Sequence, residues 1–344
     1  MLRTVLVGLG HVGRAVLRGW ERVPPELRLV GAADSRGRFC DEAGLDPREL
    51  LSRKAAGDYD SPAERPTWQW IAELEPELLI ELTVTDLQSG EPAVPDMLAA
   101  FAAGAHVVTS AKSHQRSRAE LQRCEAAARA AGRLFLDHAA HLAGVPVTEM
   151  MAGVGMRVTM LEGVLNGTTN YLLQRLEDGV GFEQAVAEAV ARGYAERDWR
   201  YDVEGTDVGL KLVGLARRLM GGAVLDLEEI RFEGLGPGRR GIDGVTPELV
   251  AALRAQGKRL KLFGEVRLEG GDGAPALAAR VYPRTLPLAD PFARVAGFRN
   301  AIAIHGELNG TRMDLFLAGP GAGADQTASR VIGNLRHLVE LLRL

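Results

Sequence analysis

The sequence predicts an α/β chain in which a doubly wound parallel sheet is followed by an α+β domain. Three observations predict it. Short apolar strands alternate with helices over residues 1–137, the pattern of parallel strands joined by helical crossovers. A Gly-x-Gly-x-x-Gly turn joins the first strand to the first helix, which is the context a dinucleotide-binding turn requires. Past Pro146 the alternation gives way to helices and then to strands separated by Gly- and Pro-rich turns, such as residues 269–275, which suit an antiparallel sheet.

In order, residues 4–7 form an apolar strand, followed by the glycine turn and a helix through Ala15, Val16 and Trp20. A second apolar strand, 27–33, ends at Asp34, and the polar stretch 37–66 reads as a helix plus surface loop. Residues 78–82 and 106–109 are buried strands with a helix at 94–103 between them, and a helix at 120–131 leads to a short strand at 134–136. The second domain opens with a strand at 157–165 and helices at 170–176, 182–192 and 208–220. Strands around 266–268, 277–281 and 301–305 precede a glycine-rich run, 319–323, and a last helix at 327–342. The domains expected are 1–137, onto which the end of the chain (320–344) packs back, and 138–319.

The 344 residues suffice for two cores, and 46% hydrophobic with 25% charged residues is a globular balance. A net charge of -4 without a basic stripe argues against nucleic acid. No signal peptide and no bilayer-length apolar run is seen, so a cytoplasmic protein that does not engage membranes is expected. Cys40 and Cys124 form neither a metal-ligand spacing nor a disulfide framework. Arginine outnumbers lysine 36 to 5. Since burial tunes lysine readily and arginine hardly at all, each lysine is worth placing.

Gly8-Leu9-Gly10-His11-Val12-Gly13 is the turn of a Rossmann nucleotide site. Its first two glycines permit a tight turn and close approach of a pyrophosphate, and the third lets helix and sheet pack closely. Asp34 stands where an acid bonds the ribose hydroxyls. Its charge favours NAD, whereas Arg36, Arg38 and Lys54 lie near enough in sequence to hold the extra phosphate of NADP, which stays open.

Three further stretches carry a resemblance. They are residues 164–172 (VLNGTTNYL), 193–211 with Gly-Tyr-Ala-Glu-Arg-Asp, Asp-Val-Glu-Gly-Thr-Asp and Lys211, and 106–112 (HVVTSAK). Together with the glycine turn and the GPGAG run, the chain resembles the homoserine dehydrogenase family over nearly its whole length, in a short form without an appended regulatory domain. The resemblance implies NAD(P)-dependent interconversion of L-homoserine and L-aspartate 4-semialdehyde by a homodimer, with the second domain serving substrate binding and dimerisation.

Asp207 and Lys211 are four apart and share a helix face. Reduction of an aldehyde needs a proton for the developing alkoxide, which an ammonium can deliver. Lys211 is the candidate general acid, oriented by Asp207; the alternative is an ordinary exposed pair. The resemblance also implies that Lys112 works with Lys211 from across the cleft and contacts the cofactor. It assigns Glu196 to the substrate ammonium, with Tyr194, Asp202 and Asp207 beside it, and Gly167 and Thr168 to the carboxylate. Thr169 and Asn170 suit helix capping equally well. Thr83, Gly193 and Gly323 fall on the nicotinamide side.

The chain departs from the family pattern at Ala111, where asparagine is usual, at Trp199 and Gln326, each in place of a proline, and at residues 137–146. His138 stands where the family has a glutamate that helps hold a monovalent cation. That cation is therefore not expected unless Asp137 substitutes for the glutamate. Three-apart His138 and His141, without a third ligand, predict no transition metal. Rivals are a reductase of another small amino-acid-like carbonyl, an NAD-binding sensor without turnover, and an acyl-enzyme mechanism. The last needs an activated cysteine that neither Cys40 nor Cys124 resembles.

Overall fold

The computed structural model describes residues 1–195, 198–222, 225–270, 276–321 and 323–343. They form two compact units, Met1–His141 with Ala324–Leu344, and Leu142–Gly323.

The first unit is built on strands β1 (Leu2–Val7), β2 (Leu27–Ala33), β3 (Gly37–Cys40), β4 (Ser61–Pro62), β5 (Leu78–Glu81), β6 (His106–Thr109) and β7 (Phe135–Leu136). Their order is β4-β3-β2-β1-β5-β6-β7. β2, β1, β5, β6 and β7 are parallel, and β3 and β4 add an antiparallel edge. The helices are α1 (His11–Arg18), α2 (Pro47–Ala56), α3 (Thr67–Leu74), α4 (Ala93–Ala102) and α5 (Arg118–Ala130).

A parallel strand is covered on both faces, so nearly all its side chains must be apolar. Alternation then divides them. Leu6, Leu78, Ile80 and Val108 pack with Val16 and Leu17 of α1 and with Val331 and Leu335 of the final helix. Val5, Val7, Leu79 and Val107 pack instead with Trp70, Ile71, Met97 and Phe101 of α3 and α4.

The second unit contains α6 (Val147–Ala152), β8 (Arg157–Val164), α7 (Gly167–Glu177), α8 (Phe182–Ala191), α9 (Arg200–Val203), α10 (Thr206–Leu219), β9 (Arg231–Phe232), α11 (Pro247–Ala255), β10 (Lys258–Glu269), β11 (Ala276–Pro287), β12 (Arg299–Leu308) and β13 (Thr311–Pro320). The sheet order is β13-β12-β8-β10-β11-β9, antiparallel except between β11 and β9. Leu161, Leu262, Val266, Ile302 and Ile304 bury one face against Leu172, Leu212 and Val250 of the helices. The other face carries ion pairs, Glu162 with Arg284 and Glu265 with Arg280. Helix α12 (Ala324–Leu342) returns the chain to the first unit.

The doubly wound sheet and the second, largely antiparallel sheet are as the sequence predicts. Several elements differ. The first helix stops at Arg18 before Gly19, and Trp20–Arg22 is a separate 3-10 turn. The stretch 37–66 holds two edge strands as well as a helix, because Phe39 is fully buried and Asp46 caps Pro47–Ala56 through Arg48 and Glu49 N–H groups. β13 was not expected. It pairs with β12 through Asn309 and Gly310, both at positive φ (52° and 78°), the backbone of a two-residue hairpin turn.

Candidate active site

The glycine turn lies at the carboxyl end of β1, next to β5, where the sheet order reverses and ligands of such folds bind. Gly8 has φ 98°, and a Cβ there would strike the backbone of Leu82 and Thr83. A Cβ at Gly13 would strike the Gly8 carbonyl, whereas one at Gly10 would meet nothing within 4 Å. Leu9 is buried below the turn, while His11 and Val12 begin α1. Gly10 offers that helix no side-chain cap, so first-turn N–H groups and the positive dipole end suit a pyrophosphate.

Asp34 accepts from the Arg36 and Gly37 N–H groups at 2.8 and 3.3 Å, from the Tyr59 hydroxyl at 3.1 Å, and from the Lys54 ammonium. Partial burial raises its carboxyl, but the Lys54 bond, the Arg36 N–H and the Lys54 charge outweigh burial and hold it below the ordinary value. Arg38 is buried, donating to the Arg65 carbonyl at 2.5 Å and lying over the Trp70 ring. It is therefore not placed to take a phosphate. Arg36 is exposed, its guanidinium 5.6 Å from the Tyr59 ring centroid. Thr83 gives both N–H and hydroxyl to Glu81, and the Lys112 N–H donates to Thr85 at 3.1 Å.

In the second unit three separated segments, 165–166, 202 and 207–211, are joined around one lysine. The Lys211 ammonium, 7% exposed, donates to Asp207 Oδ2 at 2.5 Å and to the Leu165 carbonyl at 2.7 Å. The exposed-pair alternative does not describe this geometry. Asp207 sits in the first turn of α10, after Gly205 at φ 84°. Asn166, the N-cap of α7, accepts from the Thr169 N–H at 2.8 Å and donates to Asp202 Oδ1 at 2.6 Å and Asp207 Oδ2 at 2.8 Å. Both amide hydrogens are thereby used, and two carboxylates are held by one side chain. Asn166 was quoted in a motif but given no role in the sequence reading; its bridging contacts span 36 and 41 residues and leave no local signal.

Gly167 and Thr168 open α7 and are buried; the Thr168 hydroxyl donates to the Tyr194 carbonyl at 2.9 Å. Tyr194 lies edge-on to Tyr171. Thr169 folds back on Asn166, and Asn170 donates to the Gly297 and Arg299 carbonyls. Asn170 also accepts from Lys261, whose other partner is the Val295 carbonyl at 2.6 Å. Burial, with Arg259 nearby, pushes Lys261 down to about 7. Gly193 and Gly323 have φ 70° and 138°. Glu196 lies outside the described residues.

His138 and His141 are buried with His114, whose Nε2 is 3.0 Å from Asp137 Oδ2, while Gln115 Nε2 lies 3.0 Å from His141 Nε2. Asp137 is turned onto an imidazole. Among the described residues no cluster of three His, Cys, Asp or Glu side chains could hold a metal ion. Cys124 is fully buried, and burial pushes its thiol up to about 12, the opposite of what an acyl-enzyme nucleophile needs. No described helix is long and apolar enough to cross a membrane.

The family model for homoserine dehydrogenase matches residues 146–335. The chain belongs to the homoserine dehydrogenase family. An NAD(+)-dependent homoserine dehydrogenase of Pseudomonas canavaninivorans is 31% identical, over 98% of this chain and 96% of that protein. The homoserine dehydrogenase of Methanocaldococcus jannaschii is 28% identical over 97% of each chain. A crystal structure of a homoserine dehydrogenase from Thiobacillus denitrificans has a TM-score of 0.79 at 29% identity, covering 99% of this chain and 74% of that one. The resemblance read from the sequence thus holds, and the chain is an NAD(P)-dependent oxidoreductase acting on a CH–OH group.

Proposed function

We propose that this homoserine dehydrogenase family member interconverts L-homoserine and L-aspartate 4-semialdehyde, with Lys211 as its acid and base. The observation that carries the reading is the tethered ammonium. Two of its three donors are taken by Asp207 and Leu165, which leaves one for a substrate oxygen. When bound, the nicotinamide cofactor supplies or accepts the hydride. Lys211 donates its remaining proton to the oxygen as negative charge grows there, and takes it back in the oxidising direction. Asp207, fixed by Asn166, keeps the lysine aimed.

The N–H groups of Gly167 and Thr168 at the start of α7 suit the substrate carboxylate, since the Asn166 cap engages Thr169. Glu196 and Asp202 receive the substrate ammonium, with Tyr194 beside them. Lys112, Thr83, Gly193 and Gly323 serve the nicotinamide end.

NAD is the preferred cofactor. Asp34 is held ionised and repels a 2′-phosphate, and Lys54 is committed to it. A homodimer belongs to the same reading: the ion-paired face of the six-stranded sheet offers a surface for a second copy, checked by sedimentation. The direct test follows reduced cofactor spectroscopically while homoserine is added with NAD or NADP. Homoserine-dependent reduction of NAD is expected. Reduction only with another amino alcohol, or none with either coenzyme, would overturn the reading.

A further inference from the structure

Two buried acids of the first unit have no part in the chemistry above. Glu81 is the last residue of β5, paired in register with Val7 of β1 and Thr109 of β6. It therefore stands at the reversal point of the sheet, directly under the glycine turn. Asp96 projects from α4, the helix that packs on β5. Both are fully buried.

One Glu81 oxygen, Oε1, accepts from the Thr83 N–H at 2.8 Å and from the Thr83 hydroxyl. The Thr83 backbone is in turn what a Cβ on Gly8 would strike, so this carboxyl fixes one wall of the nucleotide turn. The other oxygen, Oε2, and both oxygens of Asp96 accept from no N–H or O–H group among the described residues, and the packing of α4 on β5 brings the two carboxyls near enough to act on one another. Ionised carboxylates can only accept. Two of them buried close together, with no donor from the described residues, would face the cost of desolvation and mutual repulsion. A proton between them removes both.

We propose that Glu81 and Asp96 share one proton, and that this proton holds Thr83 in the position that shapes the nucleotide site, making the pair a positioning device for cofactor binding. The inference deepens the nucleotide-site reading and rests on it.

Burial pushes both acids above the ordinary carboxylate range, and the facing Glu81 pushes Asp96 further, to about 9. Of the other charges acting on Asp96, Glu91 raises it and Arg38 lowers it; on Glu81 the Thr83 hydrogen bonds act downward. A raised carboxyl stabilises its surroundings below its ordinary value and loses that contribution as pH climbs through the raised one. The window therefore lies on the alkaline side. Loss of the last proton places two charges in contact, drives Glu81 away from Asp96, and releases Thr83 toward Gly8.

The test is a direct titration of NADH by fluorescence between pH 7 and 10, with wild type, Asp96→Asn and Glu81→Gln. In wild type the dissociation constant should rise about tenfold over that range, as loss of one linked proton allows. Each amide is a permanent donor in place of the shared proton, so both variants should bind as wild type does at pH 7 and lack the alkaline loss. Asp96→Ala, which supplies no donor, should bind weakly throughout. A variant slope equal to the wild-type slope, or a flat wild-type profile, overturns the proposal. Infrared spectra without cofactor give a second reading: a buried carboxylic-acid carbonyl band at pH 8, lost in Asp96→Asn. Its absence from wild type overturns the shared proton even if NADH binds. Failure of wild type to bind NADH at any pH, with that band present, overturns the nucleotide reading and with it the role assigned to the pair.

Discussion

The candidate sites of the two units are made of different materials. The nucleotide turn is mostly backbone: Gly8, Gly10 and Gly13 act by what they lack, and the ligand groups on offer are the N–H groups at the start of α1. The lysine site is mostly side chain, with Asn166, Asp202, Asp207 and Lys211 joined by hydrogen bonds between segments far apart in sequence. A backbone site tolerates change except where a Cβ would intrude. A side-chain site fails when any one group is truncated, because the remaining buried polar atoms lose their partners.

Substitutions test that contrast. The largest effect is expected at Gly8→Val, where a positive φ and the Leu82 backbone both oppose a side chain. It should cost about 3 kcal/mol or more of stability, read as a fall in melting temperature, and abolish NADH binding. Gly10→Ala, with open space around it, should melt like wild type while binding NADH more weakly. Asp207→Ala leaves Lys211 held only by the Leu165 carbonyl and should lower kcat by about 10²-fold, with NADH affinity preserved. Asn166→Ala removes the α7 cap and the amide's bonds to both carboxylates. A stability loss of about 1–2 kcal/mol in chemical denaturation is expected, with a smaller loss of kcat than at Asp207. Mildest is Asp34→Ser, which should bind NAD a few-fold more weakly and narrow the preference over NADP, measured as a ratio of dissociation constants.

The contrast also explains what the sequence could show. The nucleotide half was legible because its steric demands fall within one strand, one turn and one helix, ending at Asp34. Asp207 and Lys211 were legible as a pair because one helix carries both. Asn166 and the Glu81–Asp96 contact were not, since tertiary packing alone joins them, and Glu81 read as one residue of an apolar strand. Arg38 was misplaced for the same reason: nearness in sequence to Asp34 does not reveal a guanidinium buried against Trp70. β13 was missed although a signal existed. Asn309-Gly310 between alternating residues is a hairpin turn.

The central claim is that the ammonium held by Asp207 and Leu165 delivers the proton. It is tested most directly by Lys211→Met, assayed in one preparation for NADH affinity and homoserine-dependent turnover. The expected result is affinity within about twofold of wild type and turnover lower by about 10²-fold or more. Turnover at the wild-type rate would contradict it.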